Sequence, residues 1–112
     1  MTRITTHVLD TSVGRPAAGV AVSLERAVHE RWETVGETET DGDGRARTLV
    51  PDGVQLTSGN YRLTFFTGRY FERSNTATFF PHVIVVFEVV AGEHYHVPLL
   101  ISPFGYSTYR GS

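Results

Sequence analysis

Turn chemistry punctuates this chain. Gly14-Arg15-Pro16, Asp41-Gly42-Asp43-Gly44, Pro51-Asp52-Gly53, Ser58-Gly59-Asn60, Ala91-Gly92-Glu93 and Ser102-Pro103 interrupt stretches rich in Thr, Val, Tyr and Phe. Short alternating segments broken in this way build strands, so the chain reads as an all-β sandwich or barrel. The first strand is expected at residues 3–9, with Ile4, Thr6 and Val8 on one face and Thr5, His7 and Leu9 on the other. The second, at 19–26, sends Val20, Val22 and Leu24 inward. Further strands are expected at 31–35, 45–49, 61–66, 83–90, 94–101 and 106–110, and one short helical turn at 72–77. With 112 residues and 40% hydrophobic content, the chain has material for one domain, 1–112, with its own core.

Two strands point beyond a monomer. Val83-Ile84-Val85-Val86-Phe87 is apolar without a break, so it should be covered on both faces or lie along an interface. The last strand carries Phe104, Tyr106 and Tyr109 with no charged tail to guard its edge, which invites pairing with another copy.

Several chemistries drop out on composition. Twelve acidic residues against ten basic ones give a net charge of -2, which offers no excess for a phosphate backbone, so no nucleic-acid partner is expected. Every basic residue is Arg, which removes Schiff-base lysines and Walker-type phosphate loops. Cys is absent, and with it go disulfides, thiolate nucleophiles and Cys-ligated metals. The opening residues lack a signal-peptide core and no stretch reaches membrane-spanning length, so a cytoplasmic protein without membrane contact is expected. Local motifs fail as well. Gly105-Tyr106-Ser107-Thr108-Tyr109 lacks the closing Gly of a nucleophile elbow, and His29-Glu30 meets Glu33 where a zinc-protease motif needs a second His.

The histidines are the exception. Of five, His94 and His96 lie two apart on one strand and share a face, while His7 stands on the first strand opposite to its apolar set. Three such imidazoles suit either a zinc ion with an open fourth position or direct activation of water as general base and acid. No Asp or Glu accompanies them on these strands to orient zinc ligands, whereas Arg45 and Arg110 are at hand. A guanidinium repels a metal cation and stabilises an oxyanion, which favours metal-free hydrolysis with no cofactor.

The closing Tyr109-Arg110-Gly111-Ser112 completes a set of blocks with Thr5-Thr6-His7-Val8-Leu9-Asp10, Thr40-Asp41-Gly42-Asp43-Gly44-Arg45 and His94-Tyr95-His96-Val97-Pro98-Leu99-Leu100. In these blocks, and in their order along essentially the whole chain, the sequence resembles the 5-hydroxyisourate hydrolases, the enzymatic branch of the transthyretin family. The resemblance implies a transthyretin-like sandwich of two four-stranded sheets with one short helix, assembled as a homotetramer, a dimer of dimers. It implies hydrolysis of 5-hydroxyisourate, the unstable product of urate oxidation, to 2-oxo-4-hydroxy-4-carboxy-5-ureidoimidazoline. His7, Arg45, His96 and Ser112 are its implied catalytic positions, and Tyr109 and Arg110 join His7 and Arg45 in binding substrate. Thr108 is a further hydroxyl for the network, His94 is less firmly supported than His96, and the C-terminus is expected to be tucked into the fold. The family's hormone carriers have Lys where His7 stands and Thr where His96 stands. A non-catalytic carrier of a planar aromatic ligand is therefore the alternative reading.

Overall fold

A computed structural model of the chain describes residues 2–112. Strand β1 (Arg3–Asp10) alternates as its side chains demand: Ile4, Thr6, Val8 and Asp10 are buried, and Thr5, His7 and Leu9 are half-buried on the opposite face. The chain returns through the two-residue β2 (Arg15–Pro16), antiparallel to the end of β1. Strands β3 (Ala21–Val28) and β4 (Arg31–Glu39) form a hairpin whose tight turn holds His29 at a positive φ of 57°. After the Asp41–Gly44 turn, β5 (Arg45–Ala46) lies against the middle of β1, and β6 (Gly59–Phe65) pairs with β3. Helix α1 (Thr67–Arg73) leads to β7 (Val83–Val89), which pairs with β6. Strand β8 (His94–Ser102) then runs parallel to β1, and β9 (Gly105–Thr108) turns back along β8.

Two sheets result. One runs β2-β1-β8-β9, with β5 also against β1, and the other runs β4-β3-β6-β7. Their inner faces enclose one core built on Ile4, Val8, Leu24, Leu63, Phe65, Leu99 and Ile101. The first sheet counts five strands because Arg15–Pro16 forms a pairing too short to announce itself in sequence. Among the described residues no helix is long and apolar enough to cross a membrane.

Several expected elements are shifted; the strand expected at 19–26 lies at Ala21–Val28, and the one expected at 31–35 runs on to Glu39. The helix lies at Thr67–Arg73 and not at 72–77, because the polar Ser74-Asn75-Thr76 run stops it. Asn75 adopts φ 53°, and the N–H groups of Ser74, Asn75 and Thr76 return to the carbonyls of Phe71 and Glu72. The strand expected at 45–49 ends at Ala46, beyond which the Thr48 hydroxyl reaches Thr38 on the other sheet and Leu49 enters the core. The last strand ends at Thr108. The apolar run 83–87 occupies an edge strand, and in the protomer its outward residues Ile84 and Val86 are 41% and 58% exposed.

The far end of β1 is fixed by a buried carboxylate. Asp10 accepts hydrogen bonds from the Ser12 N–H (3.0 Å), the Ser12 hydroxyl (2.5 Å) and the Tyr70 hydroxyl of α1 (2.8 Å). Burial, followed by that hydrogen bond to Asp10, pushes the Tyr70 phenol up to about 12. Tyr70→Phe leaves one Asp10 oxygen without its partner, and urea denaturation should register a loss of about 1–3 kcal/mol. An unchanged midpoint would show that α1 is not tied to β1 through this bond.

Candidate active site

The outward face of the five-stranded sheet gathers the polar residues. Parallel register places Thr5 opposite His96, and antiparallel register places His7 opposite Arg45. On β8, Tyr95, Val97 and Leu99 are buried towards the core, so His94 and His96 emerge on the other side with His7 and Thr5. Arg45 is half-buried beside the fully buried core residue Ala46.

The turn before Arg45 is built to aim it. One Asp41 oxygen accepts the N–H groups of Asp43 (2.9 Å) and Arg45 (3.0 Å), and Gly44 takes φ 77° while its carbonyl receives the Val8 N–H at 2.7 Å. A Cβ at Gly44 would stand 2.4 Å from the Val8 carbonyl oxygen, so the strand and turn approach closely only because this residue is Gly. The Arg45 N–H is the largest influence holding the Asp41 carboxyl below its ordinary value. His7 joins the same turn, its Nε2 lying 2.8 Å from the Asp43 carbonyl oxygen. A carbonyl only accepts, so His7 Nε2 carries the hydrogen of this bond.

Beside these residues is a hollow of about 470 Å³, whose lining includes Arg3, Thr5, Arg45, Arg47, His94, His96 and Ser112. No Asp or Glu side chain lines it. His96 is the chemically poised group. Its Nδ1 lies 2.9 Å from the Thr5 hydroxyl, which leaves Nε2 as the ring's other nitrogen. Burial is the main cause holding its pKa below the ordinary 6.5, and the neighbouring His7 ring and Arg45 guanidinium add to it. A neutral imidazole and a guanidinium in one hollow can accept a proton and stabilise an oxyanion. Among the described residues, no three His, Cys, Asp or Glu side chains converge as metal ligands.

The structure thus gathers Arg45, His96 and Ser112 in one hollow, with His7 beside it, opposite Arg45 and near enough to His96 to influence its charge, but not in the lining. Tyr109 and Arg110 do not line this hollow but an adjoining one of about 330 Å³, which they share with His96, Val85, Phe87 and Tyr95, and the Arg110 guanidinium stacks 4.8 Å from the Tyr95 ring centroid. Thr108 donates to the Pro98 carbonyl at 2.7 Å and so secures β9. The ending is anchored but not tucked in. The Gly111 N–H bonds to the His96 carbonyl at 2.8 Å, whereas Tyr109, Arg110 and Ser112 are exposed in the protomer. Sequence reasoning did not single out Thr5, the Asp43 carbonyl, Arg3 or Arg47. The alternation on β1 groups Arg3, Thr5 and His7 on one face, but no sequence signal gives the register across to β8.

The chain matches the model of the HIUase/Transthyretin family over residues 4–111. It is 46% identical over 110 residues to the 5-hydroxyisourate hydrolase of Salmonella typhimurium, covering 97% of this chain and 80% of the relative. Among solved structures, the 5-hydroxyisourate hydrolase of Klebsiella pneumoniae is similar with a TM-score of 0.87 at 41% identity, covering 100% of both chains. Sea bream transthyretin in complex with thyroxine is similar with a TM-score of 0.90 at 28% identity, covering 97% of this chain and 94% of that one.

The His96 environment has a direct signature. In a histidine NMR titration the His96 ring should titrate below 6.5, and His7→Asn should raise its midpoint, because the His7 ring is one of the neighbours that disfavour the charged form of His96. A His96 midpoint at or above the ordinary value would contradict this geometry.

Proposed function

The chain belongs to the HIUase/Transthyretin family, and we propose on that premise that it hydrolyses 5-hydroxyisourate to 2-oxo-4-hydroxy-4-carboxy-5-ureidoimidazoline in urate degradation. The observation that carries the reading is a neutral-leaning His96 sharing one outward hollow with Arg45 and flanked by His7.

In this reading His96 accepts the proton of a water whose oxygen attacks a carbonyl carbon of the six-membered ring. For Nε2 to be the base, Nδ1–H donates to the Thr5 hydroxyl, a geometry the 2.9 Å contact permits. The carbonyl becomes a tetrahedral oxyanion, and Arg45 supplies the N–H donors and positive charge that stabilise it. Collapse breaks the ring C–N bond. The proton held on His96 passes to the departing nitrogen, which becomes part of the ureido group, while the attacked carbon becomes the carboxyl group. His7 is the second imidazole in the network, and its bond to Asp43 also steadies the turn that presents Arg45. Ser112 offers a hydroxyl at the border of the hollow. Arg110 and Tyr109 approach His96 from the adjoining hollow, with the Arg110 guanidinium stacked on Tyr95 and its N–H donors left for the substrate.

The carrier alternative rests on fold alone. Likeness to the thyroxine-bound transthyretin is as high as likeness to the hydrolase, so backbone shape does not separate them, but identity falls from 41% to 28%. The lining is also wrong for a flat apolar ligand, since guanidinium and imidazole groups surround the hollow.

A homotetramer and a cytoplasmic location belong to the same proposal. Support for assembly comes from uncovered apolar side chains along both edge strands and nearby loops: Phe79, Ile84, Val86, Phe104, Tyr106 and Tyr109. Light scattering should return four times the 12.4 kDa chain mass; a monomer in dilute solution would refute this.

Catalysis is tested by the ultraviolet decay of freshly generated 5-hydroxyisourate. His96→Ala and His7→Ala should each slow turnover by roughly 10²–10⁴-fold, the range for a lost general acid or base. Full turnover in both variants would remove the imidazoles from the mechanism.

A further inference from the structure

Resting on the hydrolase reading, we propose that Arg3 and Arg47 form a cationic rim that captures the substrate as an anion and sets KM, outside the proton chemistry of His96. Arg3 opens β1 and stands across the parallel register from His94, and Arg47 lies two residues beyond Arg45. Both line the hollow that Arg45 and His96 share.

Three features argue against two ordinary surface charges. First, neither is committed to a close partner. Among the described residues Arg3 has no ion pair, and Arg47 reaches Asp41 only at 3.8 Å with 63% of its side chain exposed. Exposed pairs of that kind add little stability, so pairing does not explain the placement. Second, the chain as a whole carries a net charge of -2, yet this hollow collects three of its ten arginines and no acidic side chain. Like charges round one cavity repel, and an anion between them relieves the repulsion. Third, the chemistry supplies that anion. A ring N–H flanked by carbonyls is acidic, so a purine-trione-like substrate gives up a proton readily, and ring opening creates a carboxyl group that ionises. Arg45 is needed at the developing oxyanion; Arg3 and Arg47 are left for charge outside the reacting bond.

Capture by exposed charge is screened by salt, over a Debye length of about 8 Å near physiological ionic strength. The experiment compares the full chain with its R3Q/R47Q and R3K/R47K forms on freshly generated 5-hydroxyisourate, at about 20 mM and about 500 mM NaCl. At low salt the Gln form should lose about 3–10-fold in kcat/KM, with the loss in KM and kcat held within about twofold. The gap should close at high salt, and the Lys form should recover most of the loss. An unchanged kcat/KM at low salt, a loss that ignores salt, or a loss confined to kcat would overturn the proposal.

Titration with urate, a stable planar anion that is not hydrolysed, separates this inference from the enzymatic reading. Salt-sensitive weakening of urate binding in the Gln form supports the rim even if the wild-type chain hydrolyses nothing, an outcome that sinks only the hydrolase reading. Hydrolysis by wild type together with urate binding indifferent to both arginines sinks the rim alone.

Discussion

The parallel pairing of β1 with β8 decides which side chains meet, because side chains alternate across a strand and a slip of one residue exchanges the faces. In the observed register Thr5 faces His96 and Thr6 faces Val97. The buried Thr6 hydroxyl donates to the Val97 carbonyl at 2.5 Å, which pins the pairing from the core side. A slip on β8 would expose Val97, Leu99 and Ile101 and drive His96 inward. Each large aliphatic side chain is worth roughly 1.5–3 kcal/mol in burial, so the wrong register loses by several kcal/mol before any imidazole is desolvated. The core therefore selects the register, and the register presents the imidazole.

The electrostatics of the hollow follow from that placement. Burial already disfavours the imidazolium of His96, and His7 and Arg45 disfavour it further. A guanidinium that depresses a neighbouring histidine is also a group that can stabilise an oxyanion, so the field that disfavours the His96 imidazolium is the one the proposed attack calls for. The Asp41 carboxylate does not undo this. It sits behind the turn and is engaged by the N–H groups of Asp43 and Arg45, so the Arg45 side chain keeps no ion pair among the described residues.

Much of this was legible from local pattern. Alternation gave the faces of β1 and β3, turn residues gave most strand limits, and His94-x-His96 told of a shared face. Pairings between distant segments were not legible. That β5 shrinks to Arg45–Ala46, that Thr5 meets His96 Nδ1, and that Gly111 binds the His96 carbonyl are facts of register and loop geometry. Arg110 shows the same limit. Its place in the closing block suggested the site, but that it reaches His96 from an adjoining hollow and stacks on Tyr95 is a matter of tertiary structure. Asn75 misled for another reason, since the polar run that looked like a helix body is its left-handed stop.

Fold and chemistry separate cleanly in this sandwich. The inward residues of β1 and β8 specify a backbone that superposes about as well on a thyroxine-bound transthyretin as on a 5-hydroxyisourate hydrolase. Backbone shape therefore does not choose between the two, and the outward positions, which the core does not constrain, are free to carry chemistry. The resemblance that implies Lys and Thr at the carriers' counterparts of His7 and His96 carries a physical consequence. A lysine ammonium, with a pKa of about 10.4, holds its proton at neutrality, and a threonine hydroxyl is no base at all. Such a pair keeps the sheet and surrenders the proton acceptor. This chain places two imidazoles on that outward face, where they stand beside the core residues of β1 and β8 without replacing any of them.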